Sequence, residues 1–220
     1  MRSSSRGPAP GHASMRPMPA TLLIRHGESE SNAGLPTYGP GAAPLTALGR
    51  AQAATIAESF TAPPSLLVVS PFLRARETAA PTRARFPSVP CEEWPVQEFT
   101  YLGALHGPGT SIEQRRPHAA AYWARADPSL VLGGDGESFT ALIARARAFL
   151  DRLSTLPDDA TVAVFTHRIF LLAVTWTLDT GTTTPDSPAM RAFHHYAEST
   201  PTPNACIRPL ALPTANRTHP

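Results

Sequence analysis

Apolar positions along the chain fall into short continuous runs separated by longer stretches with a helical period, and this alternation predicts strands and helices in turn. Leu22-Leu23-Ile24 reads as a short buried strand. Leu66 to Val69 is a four-residue apolar run ending in two β-branched residues, and Thr161 to Thr166 is a further buried strand. Val89 to Trp94 fits a third, more exposed strand, and Cys206 to Leu210 an edge strand near the end of the chain. Thr46 opens a helix through Ala47, Leu48, Ala51, Ala54, Ile56, Ala57 and Phe60, which Pro63-Pro64 ends. Ser70-Pro71 leads into a helix whose first turn accepts the proline; it carries Arg74, Arg76 and Glu77, and Pro81 limits or kinks it. The less regular stretch from Pro95 to Gly136 is the natural place for a substrate lid. It holds a helix from Ser111 to Ala126 that Pro117 is expected to interrupt. Ser138 to Leu153 is amphipathic, with Phe139, Leu142, Ile143, Ala146, Phe149, Leu150 and Leu153 on one face and Arg145, Arg147 and Arg152 largely off it. A helix from Ile169 to Leu178 follows. Strand and helix in repeated succession call for an α/β fold: a three-layer sandwich with a mostly parallel central sheet, helices on both faces and an edge strand from the C-terminal region.

At 220 residues the chain fits one domain, placed at 20–212, with a disordered N-terminal tail over 1–19 and a flexible tail over 213–220. The first 19 residues are rich in Ser, Pro, Gly and Arg without a continuous apolar stretch. They therefore do not read as a secretory signal but as a tail, or in part as an over-called start with Met15 and Met18 as alternative initiators. The run from Val162 to Leu178 is broken by His167 and Arg168 and is too short to span a bilayer. A cytoplasmic protein is expected. The net charge of +2 shows no localised basic stripe, so nucleic acid is not expected as a partner; the short apolar run speaks likewise against a membrane, and a homodimer stays open. All 19 residues counted as Lys or Arg are arginines, whose planar paired donors match phosphate oxygens. Cys91 and Cys206 lie far apart in no ligating pattern and read as reduced structural thiols. None of the eight histidines shows metal-ligand spacing, and neither a metal nor a cofactor is expected.

The chemistry concentrates where strands end. Leu22 to Ile24 deliver Arg25 and His26 side by side into Gly27, which reads as the sharp exit from the strand, and open α/β sheets bind ligands at that edge. An arginine and a histidine held there suit a nucleophile facing a phosphate. Arg74 lies in the first turns of a helix that begins at a second strand end, where helix termini favour anions. The solvated helix position suits Arg76 better. Phe165-Thr166-His167 repeats the pattern at a third strand end, although alone it reads as a core histidine.

Together these segments resemble the histidine phosphatase superfamily, which includes the cofactor-dependent phosphoglycerate mutases and many phosphomonoesterases. Ser70-Pro71-Phe72-Leu73-Arg74-Ala75-Arg76-Glu77-Thr78-Ala79 is similar to its Ser-Pro-x-x-Arg-Ala-x-x-Thr-Ala signature, and Gly136-Glu137-Ser138 to its Gly-Glu-Ser. The resemblance covers about 21–178. It implies His26 as the nucleophile that becomes a phosphohistidine, with Arg25, Asn32, Arg74 and His167 on the phosphoryl oxygens. Glu98, in Val96-Gln97-Glu98-Phe99, takes the place of the general acid, with Glu92 and Glu93 as nearby competitors. The second nitrogen of His26 is expected to be held by a backbone carbonyl of the turn. Ser138 reads as a helix cap and Glu137 as a brace for the site. Phe99, Tyr101, His106, Arg115, Arg116 and Trp123 either set specificity or pack the lid's own small core.

The resemblance implies a phosphatase acting without metal on a small phosphorylated metabolite. Mutase-type transfer and a non-catalytic phospho-ligand-binding module on the same fold are the alternatives. Two departures stand out. Many members follow the second histidine with small residues, whereas His167 is followed by Arg168 and Ile169, so Arg168 either binds a second substrate anion or pairs with Glu137 or Glu98. Where the mutases carry Trp and Asp before the next helix, this chain has Tyr38-Gly39-Pro40-Gly41-Ala42-Ala43-Pro44.

Overall fold

The computed structural model describes residues 19–210; the expected tails fall almost wholly outside them. Five strands form one sheet in the order β3-β2-β4-β1-β5. They are β1 (Ala20–Arg25), β2 (Leu66–Val69), β3 (Cys91–Glu93), β4 (Thr161–Thr166) and β5 (Ile207–Pro209). The first four are mutually parallel, and β5 closes one edge antiparallel to β1. The helices are α1 (Ala47–Ser59), α2 (Leu73–Arg85), α3 (Ile112–Arg125), α4 (Phe139–Leu153), α5 (Arg168–Thr180) and α6 (Ser187–Ser199). The α/β sandwich read from the sequence is the observed architecture.

Side-chain alternation along the strands sorts the core into two layers. Leu23, Val68, Val162 and Val164 face one side, against Phe139, Leu142, Ile143, Phe149 and Leu153 of α4 and the buried face of α5. Ile24, Leu67, Val69, Ala163 and Phe165 face the other, against Ile56, Phe60 and Ala79 from the region of α1 and α2. Each fully buried Leu, Ile or Phe contributes about 1.5–3 kcal/mol, so the stripe predicted for α4 and the buried face of α5 together hold this face of the sheet.

Several boundaries differ from the sequence reading. Pro71 lies before α2, whose N-cap is Phe72, and Pro81 sits inside a helix that continues to Arg85. Pro117 likewise sits within α3 without ending it, because a capping box between Ser111 and Gln114 fixes the start and the helix runs on to Arg125. The sequence reading contains no α6. There Asp186 accepts from the Ala189 amide, Pro188 stands in the first turn, and Met190, Phe193 and Ala197 are buried at helical spacing.

Candidate active site

Parallel pairing brings the carboxyl ends of β1, β4 and β2 to one edge. Arg25 pairs in register with Thr166, and Val69 with Phe165. The chain therefore leaves the sheet as Arg25-His26, Thr166-His167 and Val69-Ser70 at nearly the same height. The His26 amide extends the ladder to the Thr166 carbonyl at 3.0 Å, and the Ser70 amide does the same to Phe165 at 3.0 Å.

His26 is buried, and both of its ring nitrogens are engaged. Nδ1 lies 2.7 Å from the Gly27 carbonyl, which can only accept, so Nδ1 carries the proton. Nε2 keeps its lone pair, and Arg74 Nε donates to it at 3.1 Å. Burial, with the Arg74 cation beside it, holds His26 well below the ordinary histidine range, so the imidazole is neutral near pH 7. The expected carbonyl partner is present.

The turn itself is held from three sides. Gly27 N donates to Thr78 Oγ1 at 3.0 Å, and Thr78 donates on to the Arg74 carbonyl. Asn204 Nδ2 contacts the carbonyls of His26 and Gly27 at 3.2 and 3.3 Å and Asn32 Oδ1 at 3.0 Å. Gly27 does not take a positive φ, contrary to its reading as a conformational exit. What requires glycine is space: a Cβ on Gly27 would lie 2.5 Å from the Gly49 carbonyl, and one on Gly49 1.9 Å from the Glu28 carbonyl.

His167 lies beside His26, with ring centroids 5.0 Å apart. Its Nε2 is 2.7 Å from Ser70 Oγ, and Ser70 Oγ also accepts from the Phe72 amide at 3.2 Å. Among the described residues the only acceptor in reach of the Ser70 hydroxyl proton is His167 Nε2, which places the imidazole proton on Nδ1. That Nδ1 is buried without a hydrogen-bond partner among the described residues. Burial first, and Arg74 second, hold His167 well below its usual range.

Arg74 stands at the second position of α2, as read from its signature. It is almost fully buried, donates from Nη1 to the Pro40 carbonyl at 2.7 Å, and is lowered to about 10 by burial. Arg25 donates to the Thr202 carbonyl, and its Nε is buried without a hydrogen-bond partner among the described residues. Asn32 accepts through Oδ1 from Ser29 and Asn204, which leaves its NH₂ group for the cavity it lines.

Glu98 also borders the cavity. Its Oε1 accepts from the amides of Phe99 at 3.0 Å, Ile169 at 3.0 Å and Phe170 at 3.3 Å, while Oε2 has one long contact of 3.4 Å. The carboxylate thus caps the first turn of α5, a terminus that His167 leaves without a side-chain cap. The competitors are occupied elsewhere: Glu92 with Trp94 and Arg152, Glu93 with Arg76. Arg168 departs from both of its expected roles. As the first residue of α5 it turns toward α6, donating to the Ala197 carbonyl and lying 4.0 Å from Glu198, and it meets neither Glu137 nor Glu98. It is not part of the cavity wall.

The cavity is about 310 Å³ and is lined by Arg25, His26, Asn32, Arg74 and Glu98 together with Ser29, Ser31 and much of the segment from Phe99 to Ala119. Phe99, Tyr101, His106, Arg115 and Arg116 reach it. Trp123 does not, and packs instead with Tyr122, Phe139 and His194. His106 is bound to Thr37 at 3.0 Å, and burial, aided by Arg115, brings it down to about 4. Among the described residues no group of three or more His, Cys, Asp or Glu converges to hold a metal ion, and no helix is long and apolar enough to cross a membrane.

The family model of the histidine phosphatase superfamily (branch 1) matches residues 21–199. The chain belongs to this superfamily. No curated protein matches it. Among solved structures, a mycobacterial glucosyl-3-phosphoglycerate phosphatase complexed with VO3 is similar at 25% identity and TM-score 0.64, over 86% of this chain and 90% of that one. A protein described as mycobacterial hydrolase 1 is similar at 25% identity and TM-score 0.65, over 86% and 89%. The fold also matches an α-ribazole phosphatase from Shigella flexneri at 24% identity and TM-score 0.61, over 78% and 83%.

Sequence reasoning overlooked three elements of this histidine phosphatase site. Ser70 was visible only as a letter of the signature. Asn204 lies shortly after α6, far from His26 in sequence, and only a Thr-Pro-Asn stretch marks it. Arg145, read as lying off the buried face of α4, makes a bidentate pair with Glu137, with side chains 12% and 14% exposed.

Proposed function

We propose that this protein hydrolyses a small phosphorylated metabolite through a phosphohistidine on His26, without a metal ion. The observation that carries the reading is the neutral His26 imidazole, proton fixed on Nδ1 by the Gly27 carbonyl and lone pair at Nε2 facing the Arg74 donor. A phosphomonoester dianion repels nucleophiles, so catalysis rests on neutralising its oxygens and holding an attacker in line. Arg74 Nε would exchange His26 Nε2 for a phosphoryl oxygen, freeing the lone pair at the moment of binding. Arg25, the Asn32 NH₂ group and His167 Nδ1–H would take the remaining oxygens.

His26 Nε2 then bonds to phosphorus as the ester P–O bond breaks, and Glu98 Oε2 gives its proton to the leaving alkoxide. In the second half Glu98 takes a proton from water, whose oxygen attacks phosphorus while the P–N bond breaks. Phosphate and the original His26 result. The cavity of about 310 Å³ lies at the small end for ligand sites, which supports a metabolite as substrate. The glucosyl-3-phosphoglycerate phosphatase among the similar structures supports a phosphomonoester of that kind.

Phosphate release from a panel of phosphomonoesters, repeated with a chelator, tests the reading. Release unaffected by the chelator and abolished by His26→Ala supports it. Isomer formation from 3-phosphoglycerate in place of release would assign mutase-type transfer, and binding of phosphate analogues without turnover of any ester would assign a binding module.

A further inference from the structure

Glu98 sits on a segment without regular secondary structure, yet the three carbonyls before it are all fixed. Arg145 Nη1 donates to Pro95 O at 3.0 Å and to Gln97 O at 2.8 Å, and between them Thr166 Oγ1 donates to Val96 O. Thr166 is fully buried and immediately precedes His167, so this bond ties the approach to Glu98 to the strand end that presents the second histidine.

Arg145 is held in turn. Its Nε and Nη2 form two parallel bonds to Glu137 at 2.9 and 2.8 Å, and its guanidinium carbon lies 4.7 Å from the centre of the Phe170 ring. Phe170 is also a residue whose amide donates to Glu98 Oε1. One guanidinium therefore touches both supports of the carboxylate: the backbone that carries Glu98 and the first turn of α5 that receives its oxygen. A lysine could not copy this, since it has no planar fork to serve a bidentate carboxylate and two carbonyls together.

We propose that Arg145, locked by Glu137, is the positioning residue that fixes Glu98 Oε2 for proton delivery to the leaving group. This rests on the reading of Glu98 as general acid. Arg145 touches no substrate; its effect passes entirely through Glu98. Loss of the clamp therefore hurts esters in proportion to their need for a proton. An alkyl phosphate leaves as a strongly basic alkoxide, whereas p-nitrophenyl phosphate leaves as a stable phenolate that needs little protonation. A clamp serving only the stability of α4 would affect both alike.

The test compares kcat/KM for an alkyl phosphate and for p-nitrophenyl phosphate in wild type, Arg145→Lys, Glu137→Gln and Glu98→Gln, normalised to the folded fraction. General acid catalysis is worth on the order of 10²–10⁴-fold, so Glu98→Gln is expected to lose about that much with the alkyl ester and far less with p-nitrophenyl phosphate. Arg145→Lys is expected to show the same selectivity at roughly 10-fold or more, with Glu137→Gln following it in smaller measure. Equal losses on the two esters in the Arg145 and Glu137 variants, beside a selective loss in Glu98→Gln, would overturn the proposal alone. No selectivity in Glu98→Gln would overturn the general-acid reading and the proposal with it. If Arg145→Lys does not fold, Glu137→Gln is judged by the same criterion, and failure of both to fold would make the pair a requirement of the fold and overturn the positioning role.

Discussion

Replacing Ser70 by alanine removes one hydroxyl that touches no substrate, and the account predicts a catalytic loss far larger than the stability loss. Ser70 is fully buried, donates to His167 Nε2 at 2.7 Å and accepts from the Phe72 amide at 3.2 Å. Its removal leaves the part-buried Phe72 amide without this acceptor, a cost at or below the low end of the roughly 1–3 kcal/mol of a fully buried group. The catalytic effect runs through the tautomer. With no donor at Nε2, nothing keeps the imidazole proton on Nδ1, and a lone pair then faces the phosphoryl oxygens where a donor is needed. Loss of one preorganised donor to a developing anion costs on the order of 10²–10³ in rate. The Ser70→Ala variant is therefore expected to lose about 10²-fold in kcat/KM toward p-nitrophenyl phosphate while still unfolding cooperatively. Nitrogen NMR of the histidine side chains should show His167 losing its exclusive Nδ1–H form and populating the Nε2–H form as well. A folded variant within fivefold of wild type, or an unchanged His167 tautomer, would refute the reasoning.

Gly49→Ala in α1 would ordinarily stabilise a helix by up to about 1 kcal/mol, but its Cβ would lie 1.9 Å from the Glu28 carbonyl. Overpacking at about 1–3 kcal/mol outweighs the propensity gain, so urea unfolding should show a less stable protein; equal or greater stability would contradict the contact. Stability should also fall as pH drops below about 6.5, because the unfolded chain there binds protons that His26 and His167, held low in the native state, refuse. The slope is up to about 1.4 kcal/mol per pH unit for each histidine. His106, lowered to about 4 but only half-buried, adds a smaller share. Urea midpoints that stay flat from pH 7 to 5 would contradict the buried neutral pair, and His167→Gln should remove part of the slope.

Most of the fold was legible because its signals are local. β4 runs from Thr161 to Thr166 as its apolar residues indicate, and Thr46, Ser111 and Ser138 each cap the helix they announce. The prolines misled, since Pro81 and Pro117 lie inside helices that continue past them to Arg85 and Arg125. α6 had a cap at Asp186 and buried positions at 190, 193 and 197, but polar neighbours hid the stripe. In the site, His26, Arg74 and His167 were legible because strand ends and a helix start place them. Arg168 was not, since whether a first-turn residue looks at the cavity or at α6 depends on a helix packed from elsewhere. Asn204, Ser70 and Arg145 act through the directions of their side-chain hydrogen bonds to segments distant in sequence, which no period or spacing encodes.

The central claim is that His26 attacks through Nε2 because Nδ1 is committed to the Gly27 carbonyl. Quenching turnover of a phosphomonoester in alkali, where phosphohistidine survives, followed by peptide mapping and discrimination of the two phosphohistidine isomers, tests it directly. The account predicts phosphate on His26 as the Nε2 isomer, absent in His26→Ala. Turnover with the label on another residue, or on Nδ1 of His26, would contradict it.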